Sequence, residues 1–202
     1  MARTALRILD DAGLPDLTMR RLAAALEVQP SALYWHFPNK QTLLAELADR
    51  IVSDTRPERA GHPAGDWAVG VRTEAAALRD ALLAYRDGAE VVASTYALGL
   101  GSSAARDRLV AAIAAGGFEE GTARRAATAL LHFVLGHVSH EQQRMQYDSI
   151  GVLVAEPAGG TSGPEIDPDG GGDPSAEFAF GVDLLVGGLE HSRTAVVSRS
   201  RR

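Results

Sequence analysis

Two short helical segments separated by a three-residue turn constrain the fold of this chain more than any other feature. Thr18 is a good N-cap for the first segment, because its hydroxyl can accept a hydrogen bond from the free amides of the next turn. Pro30 suits the first position of the second segment, because its φ is fixed and it has no N–H to satisfy. The pattern predicts helices over Met19–Leu26 and Pro30–Phe37. Braced by a preceding helix, such a pair is a helix-turn-helix.

The remaining chain has helical periodicity, and no stretch of it alternates cleanly with a period of two. We therefore predict an all-α protein. It comprises an N-terminal three-helix helix-turn-helix domain with a linking fourth helix (1–54), a larger helical C-terminal domain (55–193) with a mobile loop at 156–174, and a basic tail (194–202). The expected helices outside the helix-turn-helix pair are Ala2–Asp11, a fourth from the Asn39 cap to about Asp54, and segments near Trp67–Arg86, Ala89–Leu98, Ser103–Ala115, Thr122–Tyr147 and Ser175–His191.

The composition excludes several classes of function. The 202 residues contain no cysteine, which rules out disulfides, thiolate metal sites and cysteine nucleophiles. No apolar run approaches the roughly 18–20 residues that a membrane helix needs, and the first residues do not have the plan of a signal peptide, so we expect a cytoplasmic protein. The chain has no nucleophile elbow, phosphate-binding loop or dinucleotide fingerprint. We expect neither an enzyme nor a bound cofactor.

The charge distribution favours contact with nucleic acid at one place. The net charge is −6, which opposes binding to phosphate. From Leu17 to Ala45, however, there are three basic residues, Arg20, Arg21 and Lys40, against one acid, Glu27. Ser31, Ala32, Tyr34, Trp35 and His36 are expected to face outward or sideways from the second short helix. This window predicts a helix that can enter the major groove of DNA.

Two readings compete for the histidines near residue 140. His137, His140 and Glu141 are spaced as metal ligands on one helical face would be. The same region also follows a 4,3,4,3,4 spacing, which favours a packing seam for a partner helix. We favour the seam and expect no metal. Its residues are Ala126, Leu130, Phe133, His137, His140 and Arg144, and a matching stripe on the last helix comprises Phe178, Val182, Leu185 and Leu189.

In the helix-turn-helix region and in several C-terminal segments, the chain resembles the TetR family of transcriptional regulators. LTMRRLAAALEVQPSALYWHFPNKQTLLAELADRIV (Leu17–Val52) is similar to the DNA-binding signature of that family. ALLAYRDGAEVV, GGFEEG, LLHFVLGHVSHEQQ and FAFGVDLLVGGLE resemble the C-terminal domain of tetracycline repressors. The resemblance therefore covers most of the chain.

The resemblance implies a homodimer that binds a double-stranded DNA operator and responds to a small-molecule effector. Carried over by position, Arg20 would reach a base or a phosphate, and Tyr34, His36 and Lys40 would hold the DNA backbone. The complete set of expected DNA-binding residues is Thr18, Arg20, Pro30, Ser31, Ala32, Tyr34, Trp35, His36 and Lys40. Glu27 stands where the family commonly has glycine. The turn must therefore keep a positive φ there, at a cost of about 1 kcal/mol, or relax.

In tetracycline repressors a histidine and a glutamate help to hold a magnesium–drug chelate, and these positions correspond here to Val92 and His140. Magnesium requires oxygen ligands, which Val92 does not offer, so we expect a more apolar ligand. The expected ligand-binding residues are Arg56, Glu74, Leu78, Val92, Leu109, Phe133, His137 and His140. In the family, the eighth and last helices form the dimer's four-helix bundle, which implies an interface at Leu130, Val134, Phe178, Val182, Leu185 and Leu189.

The function expected from these observations is that of a transcriptional repressor, released from a palindromic operator by a small, largely apolar ligand. Two alternatives stay open at this stage. One is a protein-interaction module of the same fold that lacks ligand-controlled operator binding. The other is an activator that binds DNA only with its ligand.

Overall fold

The computed structural model describes residues 1–54, 66–101, 103–149 and 173–199. Within those ranges every regular element is a helix, which confirms the all-α prediction. In chain order the helices are α1 (Ala2–Ala12), α2 (Met19–Ala25), α3 (Pro30–Tyr34), α4 (Lys40–Asp54), α5 (Trp67–Leu83), α6 (Gly88–Ala97), α7 (Ala104–Ala114), α8 (Glu120–Ser149) and α9 (Pro174–Arg199). No helix in the described ranges is both long and apolar enough to cross a membrane.

Helices α1, α2 and α3 pack into a small unit around leucine side chains. Leu9, Leu22 and Leu33, one from each helix, are fully buried. Thr18 caps α2 as predicted, because its hydroxyl oxygen accepts a hydrogen bond from the Arg21 N–H at 3.1 Å. Asn39 caps α4 in the same way, with its side-chain oxygen 2.9 Å from the Thr42 nitrogen. The local signals in the sequence therefore determine where these helices begin.

The turn between α2 and α3 keeps a positive φ at Glu27. Its φ is +54°, in the left-handed region that favours glycine. The Glu27 N–H donates to the Ala24 carbonyl at 3.1 Å, and the Val28 N–H donates to the Ala23 carbonyl at 3.0 Å. These two bonds are those of a Schellman C-cap, which satisfies the last carbonyls of α2. The turn therefore retains the strained conformation instead of relaxing.

Replacing Glu27 with glycine is expected to raise the free energy of unfolding by about 1 kcal/mol, because glycine adopts this φ without a steric cost. Urea denaturation followed by circular dichroism measures the change. The matched control is Ala25→Gly, in the adjacent turn of α2, which is expected to lower stability by about 1 kcal/mol. If Glu27→Gly lowered stability as Ala25→Gly does, the strain argument would be wrong.

Helix α3 is shorter than the predicted Pro30–Phe37 and ends at Tyr34. The His36 N–H donates to the Leu33 carbonyl at 3.0 Å, a three-residue spacing that tightens the chain into a turn. Pro38 prevents the helix from continuing beyond this turn, because the residue before it, Phe37, disfavours the α conformation. The shortening leaves Trp35 and His36 in the turn that follows the helix.

Helices α4 to α9 pack around the larger part of the same hydrophobic core, with α5 in contact with α4, α6, α7, α8 and α9. The fully buried residues Leu78, Leu82, Leu109, Ile113 and Leu131 lie in this core. Helix α9 runs antiparallel to α8, with Pro174 near His137 and Phe178 stacked on Phe133 at 5.8 Å between ring centroids. Glu119 stands at the N-terminus of α8, where the N–H groups of Gly121 and Thr122 lower the pKa of its carboxyl.

Helix α9 continues to Arg199, beyond the predicted end at His191, so part of the expected basic tail is helical. Arg193 gives a physical reason for the extension. Its guanidinium donates to the Gly116 carbonyl at 3.1 Å and lies 5.9 and 5.8 Å from the ring centroids of Trp67 and Phe118. Of the predicted loop at 156–174, only 173 and 174 are described, and α9 begins at Pro174.

Candidate nucleic-acid interface and effector pocket

The outer surface of α2 and α3 exposes most of the residues predicted to contact DNA. Trp35 is 90% exposed, and Tyr34 is half exposed. Arg20, Pro30, Ser31 and His36 are exposed as well, and Ala32 is partly buried. Two large aromatic side chains in water on a small helical unit are costly unless a partner covers them. This surface is therefore the strongest candidate for an interface in the helix-turn-helix unit.

The two adjacent arginines of α2 have different environments. Arg21 forms an ion pair with Asp16 at 3.3 Å. The Arg20 side chain is exposed and makes no hydrogen bond or ion pair with any described residue. Guanidinium groups can donate two parallel hydrogen bonds to guanine or to a phosphate. Arg20 is the arginine whose full donor set is available to DNA.

Lys40, at the start of α4, is half-buried and already has one partner. Its Nζ donates to the Leu14 carbonyl at 3.3 Å. An ammonium has three N–H donors, so two remain for phosphate oxygens. The bond to Leu14 holds the cation close to the loop between α1 and α2.

The predicted ligand-binding residues do not line one cavity. Leu78 and Leu109 are fully buried in the core, and Glu74 is half-buried in an ion pair with Arg108 at 3.0 Å. Val92 lines a cavity of only about 20 Å³ between α4, α6, α7 and α8, which has room for about one water molecule. Arg56 lies outside the described residues.

His137 and His140 line a larger pocket, of about 330 Å³, between the C-terminal half of α8 and the start of α9. This volume lies within the usual range for small-molecule sites. The other lining residues are Glu141, Arg144, Met145, Pro174 and Glu177. The spacing of residues 137, 140, 141 and 144 predicts that these side chains share one face of α8. No sequence signal pointed to Pro174 or Glu177.

Hydrogen bonds and a ring contact fix the positions of two side chains that line this pocket. His137 Nε2 lies 3.2 Å from the Pro174 carbonyl oxygen, and the imidazole packs against the Phe178 ring at 5.4 Å between centroids. Glu141 is joined by two hydrogen bonds to Arg79 of α5. Within the described part of the chain, no group of three or more His, Asp or Glu side chains is placed to hold a metal ion.

The residues predicted for the dimer interface lie largely inside the protomer. Leu130, Val134, Phe178 and Val182 are buried, while Leu185 and Leu189 are half-buried against the same core. The close contact between α8 and α9 is visible at Gly181, where a Cβ atom would lie 2.2 Å from Phe133. This seam therefore joins two helices of one chain.

Another apolar stripe on α9 points away from the protomer. Phe180 is 65% exposed and Leu184 is 61% exposed. They are four residues apart, so they share one face of the helix. The exposed Gly187 and Gly188 follow them on α9, with open space where a Cβ would be. Sequence reasoning missed Phe180 and Leu184, because both stripes of α9 are apolar and only the fold shows which one remains uncovered.

Comparison with known proteins gives consistent matches over nearly the whole chain. Residues 3–47 match the profile of "Bacterial regulatory proteins, tetR family", and residues 60–158 match that of "Tetracyclin repressor-like, C-terminal domain". The class C tetracycline repressor of Escherichia coli is 36% identical over 198 residues, which cover 95% of this chain and 89% of the repressor. Among solved structures, BioQ of Mycobacterium smegmatis is 39% identical with a TM-score of 0.78, covering 93% of this chain and 94% of BioQ. A structure of BioQ with its natural double-stranded DNA operator is 36% identical, with a TM-score of 0.73 and the same coverage.

Proposed function

We propose that this chain, which belongs to the tetR family of bacterial regulatory proteins, is a transcriptional repressor. Two copies bind an inverted-repeat operator through α2 and α3. They leave the operator when a small molecule enters the pocket between α8 and α9. The observation that carries the proposal is the exposed surface of α2 and α3, where Trp35, Tyr34 and the unpaired Arg20 stand outside the core.

The chemistry of that surface suits duplex DNA. The α3 helix begins with Pro30, Ser31 and Ala32, which are small enough to let its first turn approach base edges in a major groove about 12 Å wide. Tyr34 and His36 offer a hydroxyl and a ring N–H to the phosphates beside the groove. Arg20 supplies the forked cation. The remaining charge of the chain is acidic, so binding depends on few phosphate contacts.

Two copies are required for an inverted repeat. A two-fold dimer places its recognition helices in successive major grooves, with half-sites about 34–36 Å apart. The uncovered stripe of Phe180 and Leu184 on α9, with the neighbouring outer face of α8, is the surface we assign to this dimer. The buried residues between α8 and α9, such as Leu130 and Phe178, hold these two helices together within each protomer.

The α8–α9 pocket is the site we assign to the effector. Met145 and Pro174 provide apolar contacts, Arg144 provides donors, Glu177 provides an acceptor, and His140 can provide either. This lining suits a ligand that combines an apolar body with hydrogen-bonding groups. The cavity beside Val92 is too small to hold such a molecule in the present conformation.

Arg20→Ala is expected to weaken binding to the specific operator by about 1–3 kcal/mol and to weaken binding to random duplex much less, because a forked contact to guanine discriminates between bases. Fluorescence anisotropy on both duplexes measures the two losses. Arg21→Ala is the matched control, since that arginine is already paired with Asp16, and it should change operator affinity little. Equal losses on both duplexes with Arg20→Ala would contradict a base-reading role.

Lys40→Ala is expected to weaken binding to all duplexes and to reduce the slope of log K against log salt by about one unit, because one phosphate contact is lost. Lys40→Gln separates this effect from the contact with Leu14, since an amide can still donate to that carbonyl without carrying a charge. Both variants should show the same reduced slope in a salt titration. An unchanged slope would remove Lys40 from the phosphate contacts.

A further inference from the structure

The turn between α5 and α6 joins the helix-turn-helix unit to α8 through one carboxylate. Asp87 lies in this turn with a φ of +56°. Its Oδ2 accepts a hydrogen bond from the Leu14 N–H at 2.7 Å, and its Oδ1 accepts one from Gln146 Nε2 at 2.6 Å. Hydrogen bonds to an ionised acceptor are short and stronger than neutral ones. The two oxygens of Asp87 thus connect segments that are 73 and 59 residues away in sequence.

The loop that Asp87 holds is the one that also holds Lys40. The Leu14 N–H is bound to Asp87, and the Leu14 carbonyl accepts from Lys40 Nζ. At the same turn the Arg86 N–H donates to Asp10 Oδ1 at 3.2 Å. A Cβ at Gly13 would lie 2.9 Å from Asp87 Oδ2, so the loop and the carboxylate are in direct contact. A movement of Asp87 must therefore move the base of the DNA-binding unit.

On its other side the turn is fixed firmly to α8. Gln142 is buried, and its Nε2 donates to the Leu82 and Tyr85 carbonyls at 2.9 and 2.8 Å. Its Oε1 accepts from the Ala89 N–H at 3.2 Å. The Gln142 side chain of α8 therefore provides hydrogen-bond partners for backbone groups at the end of α5 and at the start of α6. The turn moves with α8, and the Asp87–Leu14 and Arg86–Asp10 hydrogen bonds link this assembly to the DNA-binding unit.

The same two turns of α8 carry the effector pocket. Glu141, Arg144 and Met145 line the pocket, and Gln142 and Gln146 lie between and beside them in sequence. A ligand that displaces this part of α8 displaces the turn as well. The residues that line the pocket and those that hold the α5–α6 turn thus belong to the same two turns of α8.

We propose that Asp87 and Gln146 are positioning residues that, with the Leu14 N–H, form a strut setting the orientation of the DNA-binding unit relative to α8. Through that orientation the strut sets the spacing of the two recognition helices on the operator, a consequence that rests on the proposed function. The orientation itself is a property of one protomer, and it is testable without DNA, ligand or dimerisation.

The test measures a distance within one chain. Because the chain contains no cysteine, Arg7→Cys on α1 and Ala111→Cys on α7, both exposed, give a single pair of spin labels. The labelled chain is diluted with excess unlabelled chain, so that each particle carries one pair. With the native strut we expect a narrow distance distribution by pulsed electron paramagnetic resonance.

Asp87→Gly removes both hydrogen bonds and adopts the positive φ without strain. It should broaden or shift the distance distribution while the helix content stays unchanged, and it should weaken binding to the selected operator by about 10-fold. Asp87→Asn keeps an acceptor for the Leu14 N–H and should restore the native distribution. Gln146→Leu removes the hydrogen bond between α8 and the Asp87 carboxylate, and it should change the distance distribution as Asp87→Gly does. Asp80→Asn, an exposed aspartate of α5, is the control for charge.

A native distribution in both Asp87→Gly and Gln146→Leu would overturn the strut, whatever the affinity for DNA. A changed distribution with equal effects of Asp87→Gly and Asp87→Asn would also overturn it, because the hydrogen bond would not be the cause. Failure of the native chain to select any DNA sequence would contradict the proposed function and leave the distance measurement intact.

Discussion

A chain carrying Phe180→Asp and Leu184→Asp is expected to be monomeric at micromolar concentration and to bind the operator at least about 100-fold more weakly. Burial of a large apolar side chain stabilises an interface by about 1.5–3 kcal/mol, and a two-fold dimer buries each of these residues twice. Because about two thirds of each side chain is left to bury, the substitution removes about 4–8 kcal/mol and places carboxylates where no partner compensates them. Because both side chains are more than 60% exposed in the protomer, its fold should survive.

Sedimentation equilibrium and operator titration measure the two effects. Leu98→Asp is the matched control, because Leu98 is as exposed as Leu184 but lies at the end of α6, outside the apolar stripe of α9. The control should remain dimeric and bind the operator normally. A dimeric double variant with native operator affinity would show that the copies associate through another surface.

Arg79→Met is expected to lower the free energy of unfolding by about 3 kcal/mol. Arg79 and Glu141 are only 13% and 10% exposed and share two hydrogen bonds between α5 and α8, at 3.0 and 2.5 Å. Removing the arginine leaves a nearly buried carboxylate without its cation, which is the costly way to break such a pair. The Arg79 guanidinium also lies 5.4 Å from the centroid of the Phe178 ring, so its loss loosens α9.

Arg72→Met provides the comparison, since Arg72 also lies on α5 and pairs with Asp183 of α9 at 2.7 Å, but at an exposed position. That substitution should cost less than about 1 kcal/mol. The double variant Arg79→Met/Glu141→Leu should recover much of the loss, because no charge remains buried. Chemical denaturation of the variants measures these changes in the free energy of unfolding. Equal costs for Arg79→Met and Arg72→Met would mean that the inner pair is not dehydrated.

The helix-turn-helix was predictable because its determinants are local. Thr18 and Asn39 cap their helices through amides three residues away, and Pro30 acts at its own position. The predicted end of α3 at Phe37 is wrong, because the chain already tightens into a turn at Trp35 and His36, before Pro38. The positive φ at Glu27 could be anticipated as one of two outcomes, but only the hydrogen bonds around it show that the turn keeps it.

The C-terminal part was less predictable because its determinants are distant in sequence. Asp87 and Leu14 are 73 residues apart, and Arg79 and Glu141 are 62 apart. Neither pair leaves a periodic pattern. Helix α9 has apolar residues on both faces, so periodicity detects the inner seam and the outer stripe equally well. Positions inferred from a family resemblance, such as Val92 and Leu78, do not show whether a cavity is open beside them in this chain.

Selection of binding sites from a random duplex pool, with the mass of the free protein measured in parallel, tests the central claim most directly. The proposed function predicts a dimer that enriches an inverted repeat whose half-sites are about one helical turn apart. The enriched duplex then becomes the substrate for the Arg20 and Lys40 variants. A dimer that enriches no sequence would contradict the account, and the exposed surface of α2 and α3 would then have to serve a partner other than DNA.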